Sequence, residues 1–245
     1  MSASLLLLAV LVAVAYGVQT AAGFGAGLVV VTIGANFIEL PRLLALLLPL
    51  SVVQTGWIVL RDRQSVDLRT LYARVVPFMG VGVGGGYLLA GMVTGEPVVK
   101  QLLGLFVMVL AARELWRLSA RRTEAAVGSS AASTAALVGA GVVHGIYATG
   151  GPLLVYALGR EGLDRVRFRA TISAVWLIMN VVLVTTFALE GRYSGSVLGQ
   201  LGVLALALPL GMLAGERVFA GVDERTFKWG IYGLLGLAGI PLMLG

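Results

Sequence analysis

The groups best placed to do chemistry lie in two short polar, glycine-rich interruptions of apolar sequence, about 125 residues apart. The later is His144-Gly145-Ile146-Tyr147-Ala148-Thr149-Gly150-Gly151-Pro152, and the earlier is Gln19-Thr20-Ala21-Ala22-Gly23-Phe24-Gly25-Ala26-Gly27. Thr149 can cap a helix and Pro152 suits a first helical turn, where a missing N–H costs nothing. A half-helix is therefore expected to start near Gly150 to Pro152. Its free N–H groups and positive dipole end favour an anion. Gly23, Gly25 and Gly27 allow the same close approach of backbone to ligand, although no proline marks a helix start there. Two opposed N-termini would make a cage for a small oxyanion. The competing reading is that these glycines only let helices pack closely; two matched polar breaks favour a site.

His144 is the only histidine and sits inside an apolar run. An ionisable group at membrane depth is a functional candidate by default. It would bind the anion or carry a coupled proton; the structural alternative is a neutral imidazole bonded to a freed carbonyl, and Gln19 takes its place in the earlier break. Other polar residues at depth are Gln54 and Thr55, then Thr171, Ser173 and Asn180. Serine and threonine often bond their own helix carbonyls, so Gln54 and Asn180 are the stronger candidates for lining a pathway. Tyr147 either donates its hydroxyl to the anion or packs. Trp57, Trp116 and Trp229 lie near the ends of apolar runs as interface anchors, whereas Trp176, eight residues into its run, is placed to face the site.

Several chemistries are disfavoured. No Asp or Glu occupies the middle of an apolar run, which argues against coupling through a buried carboxylate, and one histidine is too few ligands for a metal. A hydrolase would need a nucleophile in a Gly-x-Ser-x-Gly setting, which His144 lacks. The absence of cysteine removes disulfides, thiolate metal sites and cysteine nucleophiles. The chain is read as a non-enzyme with no catalytic residue and no cofactor.

The elements that position these residues must lie in a bilayer. With 58% hydrophobic and 12% charged residues and a mean hydropathy of +0.95, the chain reads as an all-α polytopic membrane protein. Apolar runs extend over about 5–37, 43–60, 75–93, 98–118, 131–158, 168–189, 197–214 and 227–244. Most are of the length of one span, roughly 20 residues. Connections are at most a dozen or so residues, so no soluble domain is expected. No Lys or Arg precedes Leu5-Leu6-Leu7-Leu8, unlike a secretory signal, and this stretch is kept in the fold. The pI near 10.1 does not point to nucleic acid, because the basic residues fall in short loops where they set orientation.

Fifteen of the eighteen Lys and Arg residues form four clusters: Arg61, Arg63, Arg69, Arg74; Arg113, Arg117, Arg121, Arg122; Arg160, Arg165, Arg167, Arg169; and Arg217, Arg225, Lys228. The positive-inside rule places loops 61–74, 113–122, 160–169 and 217–228 in the cytoplasm, with Arg42, Lys100 and Arg192 outside. Run 131–158 is too short for two spans of roughly 17 residues, so it must enter and turn back. Re-entrant backbone is tolerated where it is buried or lines a cavity. Run 5–37 is by the same parity a hairpin from the opposite side. The chain then divides into two inverted-topology repeats, 1–122 and 123–245, each a broken hairpin followed by three spans. Gly84 to Gly95 with Glu96 resembles Gly211 to Val222 with Asp223, in keeping with duplication. The alternative is eight full spans in two parallel repeats.

The breaks, together with Phe168-Arg169-Ala170-Thr171-Ile172-Ser173-Ala174 and Leu210-Gly211-Met212-Leu213-Ala214-Gly215, resemble the sulfite exporter TauE/SafE family, within the toluene-sulfonate uptake permease group, over nearly the whole chain. The chain departs from the family pattern at Ala26 and Gly27, where members often have a further Gly and a Pro, and at Leu48-Pro49-Leu50-Ser51, so it reads as a divergent member. The resemblance implies export of sulfite, sulfonates or related small sulfur-containing anions across a prokaryotic plasma membrane. The expected protein is a secondary transporter of such an anion, in contact with membrane lipid and compatible with a homo-oligomer. Its binding set is Gln19, Gly23, Gly25, Gly27, Gln54, His144, Tyr147, Thr149, Gly150, Gly151, Pro152, Thr171, Ser173 and Asn180. The rivals are a translocase of a lipid phosphate head group and a structural membrane protein with no substrate.

Overall fold

In the computed structural model every described element is helical. It describes residues 3–35, 37–93, 131–244 and ten positions between 101 and 119. Most of run 98–118, the cluster of Arg113, Arg117, Arg121 and Arg122, Lys100, Glu96, Glu114 and the boundary at 122 lie outside the described residues.

The first hairpin is α1 (Ala3–Ala22) and α2 (Ala26–Gly34); α3 (Leu40–Arg61) follows. After two turns, Leu68–Thr70 and the π-helical Leu71–Val75, comes α4 (Val76–Val93). The second hairpin is α5 (Ala131–Tyr147) and α6 (Gly151–Leu158), followed by α7 (Arg165–Leu189), α8 (Gly195–Gly221) and α9 (Glu224–Leu244). Five helices are long and apolar enough to cross a membrane: Ser4–Ala22, Leu40–Arg61, Leu68–Ala90, Arg165–Leu189 and Gly195–Gly221.

Local chemistry explains several boundaries. Asp164 caps α7, its carboxylate accepting from Val166 N at 2.9 Å and Arg167 N at 3.0 Å. Pro41 sits in the first turn of α3, where its ring is harmless. Pro49 and Pro209 lie inside α3 and α8; each removes one helix hydrogen bond, which membrane helices tolerate when neighbours cover the freed carbonyl.

Tyr16 donates to Leu47 O and Gln54 to Thr20 Oγ1, so α1 and α3 run in the same direction. Helix α2 therefore has to return the chain to the end where α1 began, which makes run 5–37 a hairpin. The hairpin is lopsided: α1 has 20 residues, about 30 Å, the full hydrocarbon thickness, whereas the nine-residue α2 covers about 14 Å. The 17-residue α5 and eight-residue α6 repeat this inequality. Neither α2 nor α6 can span alone.

Packing between the halves is reciprocal. Hairpin helix α1 lies along α8 of the other half, α5 lies along α4, and α3 lies along α7. Small residues permit the first two pairings. A methyl on Gly86 would come within 2.2 Å of Val142 O and one on Gly141 within 2.1 Å of Met79 O; on Gly211 and Gly215 it would meet Ala13 O at 2.1 Å and Gly17 O at 2.3 Å. Backbones in such contact gain dispersion that larger side chains would forbid. Gly82 and Gly86 face α5 as Gly211 and Gly215 face α1, while Gly84, which starts the internal similarity, has nothing within 4 Å. The pairs α1/α8 and α4/α5 run parallel. The counterparts α3 and α7 run antiparallel, with Ser51 against Asn180 and Asp62 against Arg169.

Candidate functional site

The two breaks meet. A methyl on Gly27 would lie 2.5 Å from Ala148 O, and one on Gly151 would lie 3.3 Å from Phe24. Gly23 (φ 85°) and Ala148 (φ 53°) hold the same left-handed turn, closed in each case by a bond back to the residue four before it, Gly23 N to Gln19 O at 2.7 Å and Ala148 N to His144 O at 2.8 Å. Gly25 is also left-handed, at φ 113°. Alanine in that region costs about 1–2 kcal/mol, so packing around Ala148 must hold the turn.

Between the breaks lies a cavity of about 30 Å³. One water needs about 10–15 Å³ on this measure, so the space suits a few non-hydrogen atoms. Of the expected residues, Gln19, Gly25, Gly27, His144, Thr149, Gly151, Pro152 and Asn180 line it. Tyr16, Phe24, Leu47, Leu48, Ser51 and Trp176 complete much of the wall. Only Trp176 among these was marked out in the sequence; Ser51 and the leucines carry no local signal distinguishing them from other helix residues.

The remaining expected residues are placed elsewhere. Gln54 donates to Tyr16 O at 2.9 Å and Thr20 Oγ1 at 2.6 Å and accepts from Gln19 Nε2 at 2.8 Å, which uses it to hold α1 on α3. Thr171 accepts from Asp67 N at 2.9 Å, tying α7 to the loop after α3. Ser173 and Tyr147 are buried with unpartnered hydroxyls but lie off the wall. Gly23 and Gly150 are also set back: Gly23 O accepts from Trp176 Nε1 at 3.1 Å, and Gly150 packs its Cα against Ala140 O. Thr149 does not cap α6, because the N-cap position falls one residue later, on Gly150.

Gln19 and His144 are positional counterparts with different duties. Gln19 Oε1 accepts from Ala26 N at 3.1 Å and so caps α2, while its amide is spent on Gln54. His144 is 1% exposed, its ring lies 5.0 Å from that of Trp176, and Asn180 lies beside it. Neither ring nitrogen completes a hydrogen bond. Buried polar atoms are normally satisfied, so His144 is the group on the wall with capacity to spare. No cluster that could hold a metal occurs among the described residues.

Beneath the first break lies a feature that the sequence did not single out. Arg169, placed there with the orienting loop charges, is instead fully buried in α7 and packs against Gly23. It donates to Asp62 at 2.5 Å, Glu216 at 2.8 Å and Thr20 O at 3.2 Å, and its guanidinium lies 3.6 Å from the Phe219 ring. Arg61 adds a 2.7 Å pair to Glu216. At the opposite end of α7, Tyr87 donates to Glu190, which pairs with Arg192 at 2.5 Å. The Tyr87 hydroxyl and Arg192 hold the Glu190 carboxyl below its ordinary range. Tyr87 follows Gly86 as Glu216 follows Gly215, so the two clusters occupy corresponding places, one buried and one exposed.

Five helices long and apolar enough to cross a membrane, together with two broken helices that face one another across a half-open cavity, define a polytopic helical membrane protein. The family model described as Sulfite exporter TauE/SafE matches residues 7–242, and the chain belongs to that family. No curated protein and no solved structure matches it.

Proposed function

We propose that the protein is a non-enzymatic secondary transporter, working as an exporter, of a small anion such as sulfite, a sulfonate or another organosulfur compound. The anion sits between the breaks, and rocking of repeat 1–122 against repeat 123–245 alternates access. The observation that carries this reading is the convergence of both half-helix N-termini and the unpartnered His144 on one cavity. The first three N–H groups of a helix have no intrahelical acceptor, and at α2 that of Ala26 is given to a side chain, Gln19. The test is anion flux in proteoliposomes. Sulfite or a small sulfonate is expected to move, and His144→Leu, which removes the donor, is expected to weaken apparent affinity by about tenfold, the value of one hydrogen bond to a charged group. No flux of any anion would overturn the reading.

The proposed setting is a prokaryotic plasma membrane, with loops 61–74, 113–122, 160–169 and 217–228 in the cytoplasm. Supporting inverted repeats are the antiparallel course of α3 and α7 and the hairpin return of α2 and α6. Single cysteines near Glu39 and Asp164, introduced into this cysteine-free chain, are expected to label from opposite sides. Labelling from one side would replace this topology with parallel repeats.

One observation favours a lipid-phosphate translocase instead: an apolar groove of about 540 Å³ between α1, α8 and α9, running beside the first break at Ala21 and Ala22. Transfer of labelled lipid between leaflets of the same vesicles, without anion flux, would favour that reading.

A further inference from the structure

We infer that the cavity between the breaks selects anions by charge, admitting a small oxyanion that carries one negative charge and refusing a dianion of the same shape. This rests on the reading of that cavity as an anion site. On it, sulfite would be taken as hydrogensulfite.

Two helix N-termini alone would not make a site. The independent pointer is His144, 1% exposed, on the cavity wall, with both ring nitrogens unpartnered. Among the described residues the wall holds no Lys or Arg, and its ionisable side chains are Tyr16 and His144. Tyr16 is already committed as a donor to Leu47 O at 2.7 Å. The guanidinium packed against the first break, that of Arg169, is spent on Thr20 O, Asp62 and Glu216. Compensation for a bound anion therefore comes from helix ends and neutral donors.

Those ends set an upper limit. Each N-terminus is equivalent to roughly half a positive charge, so α2 and α6 together offset about one negative charge. The opposed C-terminal ends of α1 and α5 subtract from this sum, and among the described residues a cation, Arg169, answers the first of them. The cavity is half open, but Phe24, Leu47, Leu48 and Trp176 form an apolar part of its wall and limit the water that can solvate a second charge. An uncompensated charge in such surroundings is strongly disfavoured and is neutralised by a proton instead. For sulfite that proton rides on the substrate: hydrogensulfite enters, and after release it dissociates into sulfite and a proton. A wall without carboxylates could thus move a proton with each anion.

Methanesulfonate and sulfate form the decisive pair, since both are tetrahedral and similar in size but carry one and two charges. Affinities are read from the saturable rise in melting temperature of the purified full-length chain at one pH and fixed ionic strength. The unsaturating stabilisation that sulfate gives any protein is subtracted. Methanesulfonate is expected to bind at least about tenfold more tightly than sulfate. Equal affinities, or tighter sulfate, would overturn charge selection while leaving the anion site standing. If neither ion, nor sulfite, gives a saturable shift, the anion site falls and this inference with it. His144→Arg, which puts a cation on the wall, is expected to shift the ratio toward sulfate by at least about tenfold; an unchanged ratio in a variant that melts cooperatively counts against the inference. The wild-type pair decides alone if that variant does not fold.

Discussion

Replacing Arg169 by alanine is expected to cost about 3–5 kcal/mol of stability, the range for removing one partner of a buried ion pair. The substitution leaves Asp62 and Glu216, whose side chains are only 14% and 16% exposed, with the partly exposed Arg61 as their remaining cation, and frees Thr20 O at the end of α1. It also removes the cation stacked on Phe219. Denaturant or thermal unfolding in detergent measures the loss, and a cost below about 1 kcal/mol, the level of an exposed pair, would refute the role assigned to the cluster. Neutralising the buried members together, Arg169→Met with Asp62→Asn and Glu216→Gln, is expected to recover most of the stability, because the one charge left without a partner, Arg61, has a side chain 42% exposed to solvent.

The second large effect is expected on transport. In Gly27→Val the new Cβ would lie 2.5 Å from Ala148 O, a backbone atom that cannot step aside as a flexible side chain does. Overpacking of this kind typically costs about 1–3 kcal/mol, and the strain is relieved only if the breaks move apart and deform the cavity. At 1.4 kcal/mol per factor of ten, substrate affinity should fall by about fivefold to 140-fold. Gly84→Val, at an exposed helix position with nothing within 4 Å, is the matched control and should transport normally. Parental affinity in Gly27→Val would mean that the substrate does not bind between the breaks.

Much of this architecture was legible in the residues. The polar breaks, the half-helix start at Gly151 and Pro152, and the hairpin course of run 5–37 follow from glycine and proline chemistry combined with loop charge, all local or additive signals. What the residues do not show by themselves is where a local signal meets a distant partner. Thr171 looked like a pathway residue because threonine at depth is polar, yet its hydroxyl serves Asp67 N. Gln54 looked free because glutamine does not bond its own helix easily, yet α1 takes all of its capacity. Arg169 looked like one more orienting charge because its neighbours Arg165 and Arg167 are exposed or half-buried at the same end of α7.

By itself the sequence determined the membrane class and the positions of both helix breaks, since hydropathy, glycine content and capping act within one turn or one span. Tertiary structure alone decided which polar groups have anything left to offer a ligand. Hydrogen-bond capacity is used up by whatever lies opposite in space: Gln19 spends its own on Ala26 and Gln54, His144 keeps both nitrogens free, and Arg169 gives its charge to Asp62 and Glu216. Those partners stand more than thirty residues away in all but one case, beyond the reach of any local pattern.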